Sequence, residues 1–163
     1  MTDMEKLADA AMNWLGTPYV SGARVRGAGV DCGMLLLGAA EDAGLVARGS
    51  VSIAPYSNEW QLHHSEEWFY RYVARYARKI PLADIRRGDI LLYQYGRCIS
   101  HGAIYEGEGR VIHSLVDQGV VLSDMDDVMF KDARGRSRLR AVMRVMGGKE
   151  NGGFSGAHGH NQG

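Results

Sequence analysis

Val30-Asp31-Cys32-Gly33-Met34-Leu35-Leu36-Leu37 is the stretch on which the reading of this chain turns. A glycine-rich loop ends there and an apolar run begins. Asp31 is of the residue type that caps helix N-termini, which places Cys32 at the first helical position. Unpaired N–H groups and the helix macrodipole at that position favour thiolate over thiol. Cys32 is therefore a candidate nucleophile. The rest of the chain must supply a base, a group to orient the base, and an oxyanion site. The helix it opens carries Met34, Leu35, Leu36, Leu37, Ala39, Ala40 and Ala43. It is apolar nearly all round, so it is expected to be buried, with Gly44 as its C-terminal cap.

Upstream, Thr2-Asp3-Met4-Glu5 has capping-box spacing, and Met4, Leu7, Ala8, Ala11, Met12 and Leu15 recur at helical period. A first helix is expected over residues 3–15, stopped by Gly16 and Pro18. Residues 16–30 read as a shaped, glycine-rich loop. Downstream, residues 46–57 are irregular. Residues 58–79 read as helical, in one piece or two, with Trp60, Trp68, Phe69, Tyr72, Val73 and Tyr76 on the core side. Pro81 ends that segment, and the period then changes to that of strands. Residues 90–95 form a strand, and residues 101–106 and 110–115 a hairpin around Gly107 and Gly109. Val120-Val121-Leu122 follows the turn at Asp117-Gln118-Gly119. In the last strand, residues 138–146, Leu139, Ala141, Met143 and Val145 share one face, with three arginines on a solvated opposite face. Helices first and an antiparallel sheet after them make an α+β domain over residues 1–146. The sheet is expected to have about five strands. Residues 147–163 hold seven glycines and few apolar side chains, and are expected to form a flexible tail.

Two histidines complete a constellation with Cys32. His101 lies in Ser100-His101-Gly102-Ala103-Ile104-Tyr105, and His113 on the neighbouring strand in Arg110-Val111-Ile112-His113-Ser114. Both must share one face of the sheet to serve one thiol. They face each other only if the connecting loop has an odd number of residues, for which Gly109, able to take φ > 0, allows a bulge. Cys32 would then attack a carbonyl carbon. His101 would take the thiol proton and hand it to the leaving amine, while His113 holds the His101 ring. The Cys32 backbone N–H is one oxyanion donor and the Tyr19 hydroxyl a candidate for another. Asp31, Gly33 and Ser100 flank the reacting groups and count as candidate oxyanion or substrate residues. Cys98 has no helix start beside it and is read as incidental. His63 and His64 are read as surface or part-buried. His158 and His160 lie in the glycine-rich tail, so no metal site and no cofactor is expected.

Composition narrows the classes. The 163 residues are 45% hydrophobic and 23% charged, as in an ordinary globular domain. With 19 basic and 19 acidic residues, the chain gives no support to a nucleic-acid partner. Two cysteines make no disulfide framework. No apolar stretch is long enough for a membrane span, and the polar N-terminus does not read as a signal peptide. The expected site of synthesis and residence is thus the cytoplasm.

Five segments together resemble the NlpC/P60 family of papain-like cysteine peptidases, which cut bacterial cell-wall peptides. They are Gly16-Thr17-Pro18-Tyr19, Val30-Asp31-Cys32-Gly33, Arg87-Gly88-Asp89-Ile90-Leu91-Leu92, Ser100-His101-Gly102-Ala103-Ile104-Tyr105-Glu106-Gly107 and Val111-Ile112-His113-Ser114. The resemblance implies a papain-like fold, with Cys32 as nucleophile, His101 as base, His113 as third polar residue and Tyr19 on the oxyanion side. The implied substrate is a peptidoglycan stem peptide, cut at its γ-D-glutamyl to diamino-acid bond. Amidase or acyltransferase chemistry at the same Cys-His pair is the alternative. Family members usually carry Ser-Gly after the cysteine, whereas here Gly33 is followed by Met34. The segment Pro55-Tyr56-Ser57-Asn58-Glu59-Trp60 resembles the branch found in phages and gene transfer agents, which implies tail proteins as partners and a place in the particle tail or release at the wall. On that reading a tail-assembly role with a dispensable site is a further alternative.

Overall fold

Helix α1, Asp3–Met12, starts on Thr2, whose side chain accepts from the Glu5 N–H while Glu5 reaches back to the Thr2 N–H. It ends at Asn13, earlier than the expected residue 15. The chain turns there because Trp14 is needed elsewhere: it is 2% exposed and its Nε1–H donates to Asp42 at 2.9 Å. The computed structural model describes residues 1–53 and 68–146. The expected helix over 58–67, the segment 55–60, His63, His64 and the glycine-rich stretch with His158 and His160 lie outside the described residues. The loop after α1 contains a short ribbon, β1 (Arg24–Val25) and β2 (Gly29–Val30). It leads into α2, Cys32–Asp42, capped by Asp31 and closed by Ala43 and a left-handed Gly44 (φ 77) as the sequence suggests.

Helix α3 spans Trp68–Ala74. Helix does not continue to residue 79, because Ala77–Ile80 is strand β3, paired with the last strand. Its buried ends, Ala77 and Ile80, bracket exposed Arg78 and Lys79. Four residues are too few to show a strand period against the helical pattern before them. Strands β4 (Ile90–Tyr95), β5 (Cys98–Gly107), β6 (Arg110–Leu115), β7 (Gly119–Asp124) and β8 (Leu139–Val145) follow. They form one antiparallel sheet in the order β3-β8-β4-β5-β6-β7. The main sheet thus has six strands where about five were expected, β3 being the addition.

The two faces of the sheet carry different cores. On one, Leu92, Ile104, Ile112 and Met143 pack with Leu7, Ala11, Leu35 and Ala39 of α1 and α2. On the other, Leu91, Tyr93, Ala103 and Val111 gather around Phe130. Pairing of Leu92 with Ala141 but Tyr93 with Leu139 leaves Arg140 as a bulge, which turns Leu139 to the second face. Leu139 therefore does not share a face with Ala141 and Met143 as expected. Nor is the arginine face simply solvated. Arg144 grips Asp89, which is fully buried, through Nε–Oδ1 (2.9 Å) and Nη2–Oδ2 (2.8 Å). Arg138 lies over the Tyr95 ring at 4.6 Å.

Candidate active site

The loop over residues 16–31 is fastened at both ends, and this places Tyr19 and Cys32. The Gly16 N–H donates to the Val120 carbonyl, and the Val120 N–H to Thr17, stitching the loop to β7. The Val30 N–H donates to Pro18, and the Ser114 hydroxyl donates to the Val30 carbonyl at 2.9 Å. The Asp31 carboxylate is 1% exposed and accepts from Met34 N–H (2.8 Å) and Gly22 N–H (2.7 Å). It is spent on the helix cap and the loop, so its contribution to the site is to hold Cys32. Gly33 leaves room for the Phe69 ring, which a Cβ there would meet at 3.2 Å.

Strand β5 brings the candidate base, His101. Tyr93 pairs with His101 but Gln94 with Ile99, so Ser100 is a bulge. The bulge presents the Ser100 carbonyl to Cys32, whose thiol donates to it at 3.5 Å, while the Ser100 hydroxyl donates to the Tyr95 carbonyl at 3.2 Å. Ser100 thus joins the site through its backbone, next to His101.

His101 and His113 do share a face, that of Leu91, Tyr93 and Ala103. Tyr105 pairs with Val111 across an odd count of five residues, within which Glu106 is a bulge and Gly107 pairs with Arg110. The turn residues Glu108 (φ 54) and Gly109 (φ 75) are both left-handed. The histidines are diagonal neighbours, however, and do not stand directly opposite. Ile104 pairs with Ile112, so the register carried one step sets His113 against Ala103. Nε2 of His101 lies 2.9 Å from Nδ1 of His113. Nε2 of His113 lies 2.7 Å from the Ser123 hydroxyl on β7. Ser123 carries no motif around it, and the turn register that aims it at His113 is not visible in its neighbours. Tyr95 was legible as a strand residue only; its ring meets His101 edge-on at 5.8 Å, and its hydroxyl donates to the Met129 carbonyl at 2.6 Å.

The electrostatics reverse one expectation. Burial, and after it the Asp31 carboxylate, push the Cys32 thiol up to about 12, against the N–H groups of Gly102, Gly33 and Cys32 itself. The cap that makes the helix start also opposes the thiolate there. Burial, helped by His113, holds His101 down to about 3, and burial holds His113 down to about 4 although Asp127 works the other way. At neutral pH the resting pair is thus neutral thiol and neutral imidazole. Burial, then Cys32 and Asp31, raise Tyr19, so its hydroxyl stays a proton donor beside the thiol.

Cys32, His101, Ser100, Tyr19 and Tyr95 all line a cleft of about 440 Å³, whose lining also includes Leu36 and Phe69. Among the described residues no three His, Cys, Asp or Glu side chains cluster to hold a metal ion, and no helix is long and apolar enough to cross a membrane. A neutral nucleophile, a neutral base with a backing histidine, and a nearby hydroxyl donor are the parts of acyl-transfer chemistry.

The NlpC/P60 family's sequence pattern matches residues 16–138, more than half of the 163-residue chain. No curated protein matches the chain. Solved structures similar in fold include a Staphylococcus aureus protein described as similar to a lipoprotein of the NLP/P60 family, at TM-score 0.58 and 18% identity. That match covers 88% of this chain and 41% of the staphylococcal one, so the chain spans about two fifths of that relative. The NlpC/p60 domain of the peptidoglycan hydrolase SagA matches at TM-score 0.55 and 18% identity, covering 89% of this chain and all (100%) of that one. RipD from Mycobacterium tuberculosis, described as a non-catalytic NlpC/p60 domain protein adapted to peptidoglycan binding, matches at 0.54 and 16%, covering 90% and 98%. At these identities the likeness is one of fold.

Proposed function

Because this chain belongs to the NlpC/P60 family, whose members are generally peptidoglycan hydrolases of the cysteine-peptidase type, we propose that it hydrolyses an amide bond in peptidoglycan stem peptides. The bond we assign is that between γ-D-glutamyl and the diamino acid. The observation that carries the reading is the His101–His113 contact of 2.9 Å beside the cleft that Cys32 lines. Nε2 of His101 is engaged with His113, which leaves Nδ1 to act as base. Cys32 Sγ attacks the carbonyl carbon as its proton passes to His101 Nδ1. The oxyanion takes hydrogen bonds from the Cys32 N–H at the open end of α2 and from the Tyr19 hydroxyl. Collapse breaks the C–N bond, and the amine leaves with the proton from His101. Water then attacks the thioester with His101 again as base, freeing the acid and the Cys32 thiol.

The test is incubation of wild type and Cys32→Ala with purified peptidoglycan and defined stem peptides, with products read by mass spectrometry. Wild type should release the cut peptide and Cys32→Ala none, with an unchanged circular dichroism spectrum. Full activity in Cys32→Ala would remove Cys32 from the chemistry. Binding of peptidoglycan by wild type without any cleavage would place this chain with the non-catalytic binders.

A further inference from the structure

His101, His113 and Ser123 form a diagonal row across β5, β6 and β7, two residues apart in register at each step. Ser123 pairs with Val111 and His113 with Val121, so both side chains stand on the face that carries the histidines. The row is linked by the 2.9 Å contact between the rings and the 2.7 Å contact to the Ser123 hydroxyl. We propose that Ser123 is a positioning residue that fixes the protonation pattern of both histidines, by accepting a hydrogen bond from His113 Nε2–H. The inference rests on the hydrolase reading for its kinetic consequence, though not for its spectroscopic one.

Two proton arrangements fit the same heavy atoms. In the first, His113 Nε2–H donates to Ser123, His113 Nδ1 accepts from His101 Nε2–H, and His101 Nδ1 is a bare lone pair. In the second, every proton is reversed: the Ser123 hydroxyl donates to His113 Nε2, His113 Nδ1–H donates to His101 Nε2, and His101 carries its proton on Nδ1. A neutral imidazole has one proton, so the two ends of the row are tied together. The first arrangement alone leaves His101 able to take the Cys32 proton. During the reaction His101 gains a second proton and still donates through Nε2, so His113 and Ser123 need not change.

The surroundings favour that state. His113 is fully buried, and its Nε2 has Ser123 as the partner that can accept. Asp127, whose Oδ1 accepts from the Met129 N–H at 2.9 Å, acts on His113 through its charge. Its negative charge favours a protonated, donating His113 ring. Ser123 is half-buried, so its own hydroxyl proton can reach solvent while its lone pair faces inward.

The experiment uses ¹⁵N-histidine-labelled wild type, Ser123→Ala and Ser123→Thr. Two-bond ¹⁵N–¹H spectra report which ring nitrogen carries the proton, and stem-peptide hydrolysis is measured on the same samples. Wild type and Ser123→Thr should show His113 protonated at Nε2 and His101 at Nε2. Ser123→Ala should show a mixture of the two patterns, with kcat lower by roughly tenfold, the worth of one lost hydrogen bond, and KM unchanged. Ser123→Thr should restore kcat. A wild-type spectrum with His113 protonated at Nδ1, or a Ser123→Ala spectrum identical to wild type, overturns the proposal. Because the spectra are read without substrate, the proposal can stand where the hydrolase reading fails, and fail where it stands.

Discussion

Cys32, His101 and His113 rest as neutral groups, and that has a consequence for stability. An unfolded chain protonates both histidines near their ordinary value of about 6.5. The folded one resists until about 4 at His113 and about 3 at His101. Below about pH 6.5 the unfolded state therefore binds protons that the folded state does not, so stability falls with falling pH. The loss begins at the unfolded value and continues down through the folded values. Urea midpoints measured at pH 7 and pH 5 should fall in wild type and fall less in His113→Asn. Equal falls in the two proteins would mean that His113 is not the group concerned. At this scale the sequence pointed to Cys32, His101 and His113, three residues that the fold does bring together, because each sits in a short motif. It did not show Ser123, or the raised thiol, because both depend on what other elements bring alongside.

Among elements, α2 is where close packing decides most. Gly38 faces Trp14, just past the end of α1, and a Cβ there would lie 2.6 Å from its ring. Replacing Gly38 by alanine raises helix propensity by about 1 kcal/mol. Overpacking costs about 1–3 kcal/mol where the neighbour cannot move away. Trp14 is such a neighbour, rigid and held by its bond to Asp42, so the clash should win. Gly38→Ala is expected to lower stability by about 1 kcal/mol in urea unfolding, and a stabilised variant would show that the indole can move. The helices α1 and α2 and the strands β4 to β8 were legible in periods and caps. Strand β3 was not, because its partner is β8, far along the chain. The bulges at Ser100 and Arg140 were hidden for the same reason, a bulge being a property of two strands whereas a sequence displays one; the hairpin bulge, found at Glu106, was foreseen only in kind.

For the molecule as a whole, the Asp89–Arg144 pair joins the start of β4 to the end of β8. Asp89 also accepts from the Arg86 N–H at 2.8 Å, and Arg144 donates to the Asp84 carbonyl. Arg144→Met leaves a fully buried carboxylate without its cation, a change that costs about 3–5 kcal/mol. The double variant Asp89→Asn with Arg144→Met should recover part of that loss in urea unfolding; equal loss in both would place the cost outside the pair. Both cysteines of the chain are also accounted for at this scale. Cys98 is 0% exposed in the helix-side core, and Cys32 rests as a thiol. Peroxides and disulfides react with thiolate, so the Cys32 thiol at rest is a poor target for them. In the reaction proposed above, that sulfur becomes open to oxidation at the moment His101 takes its proton.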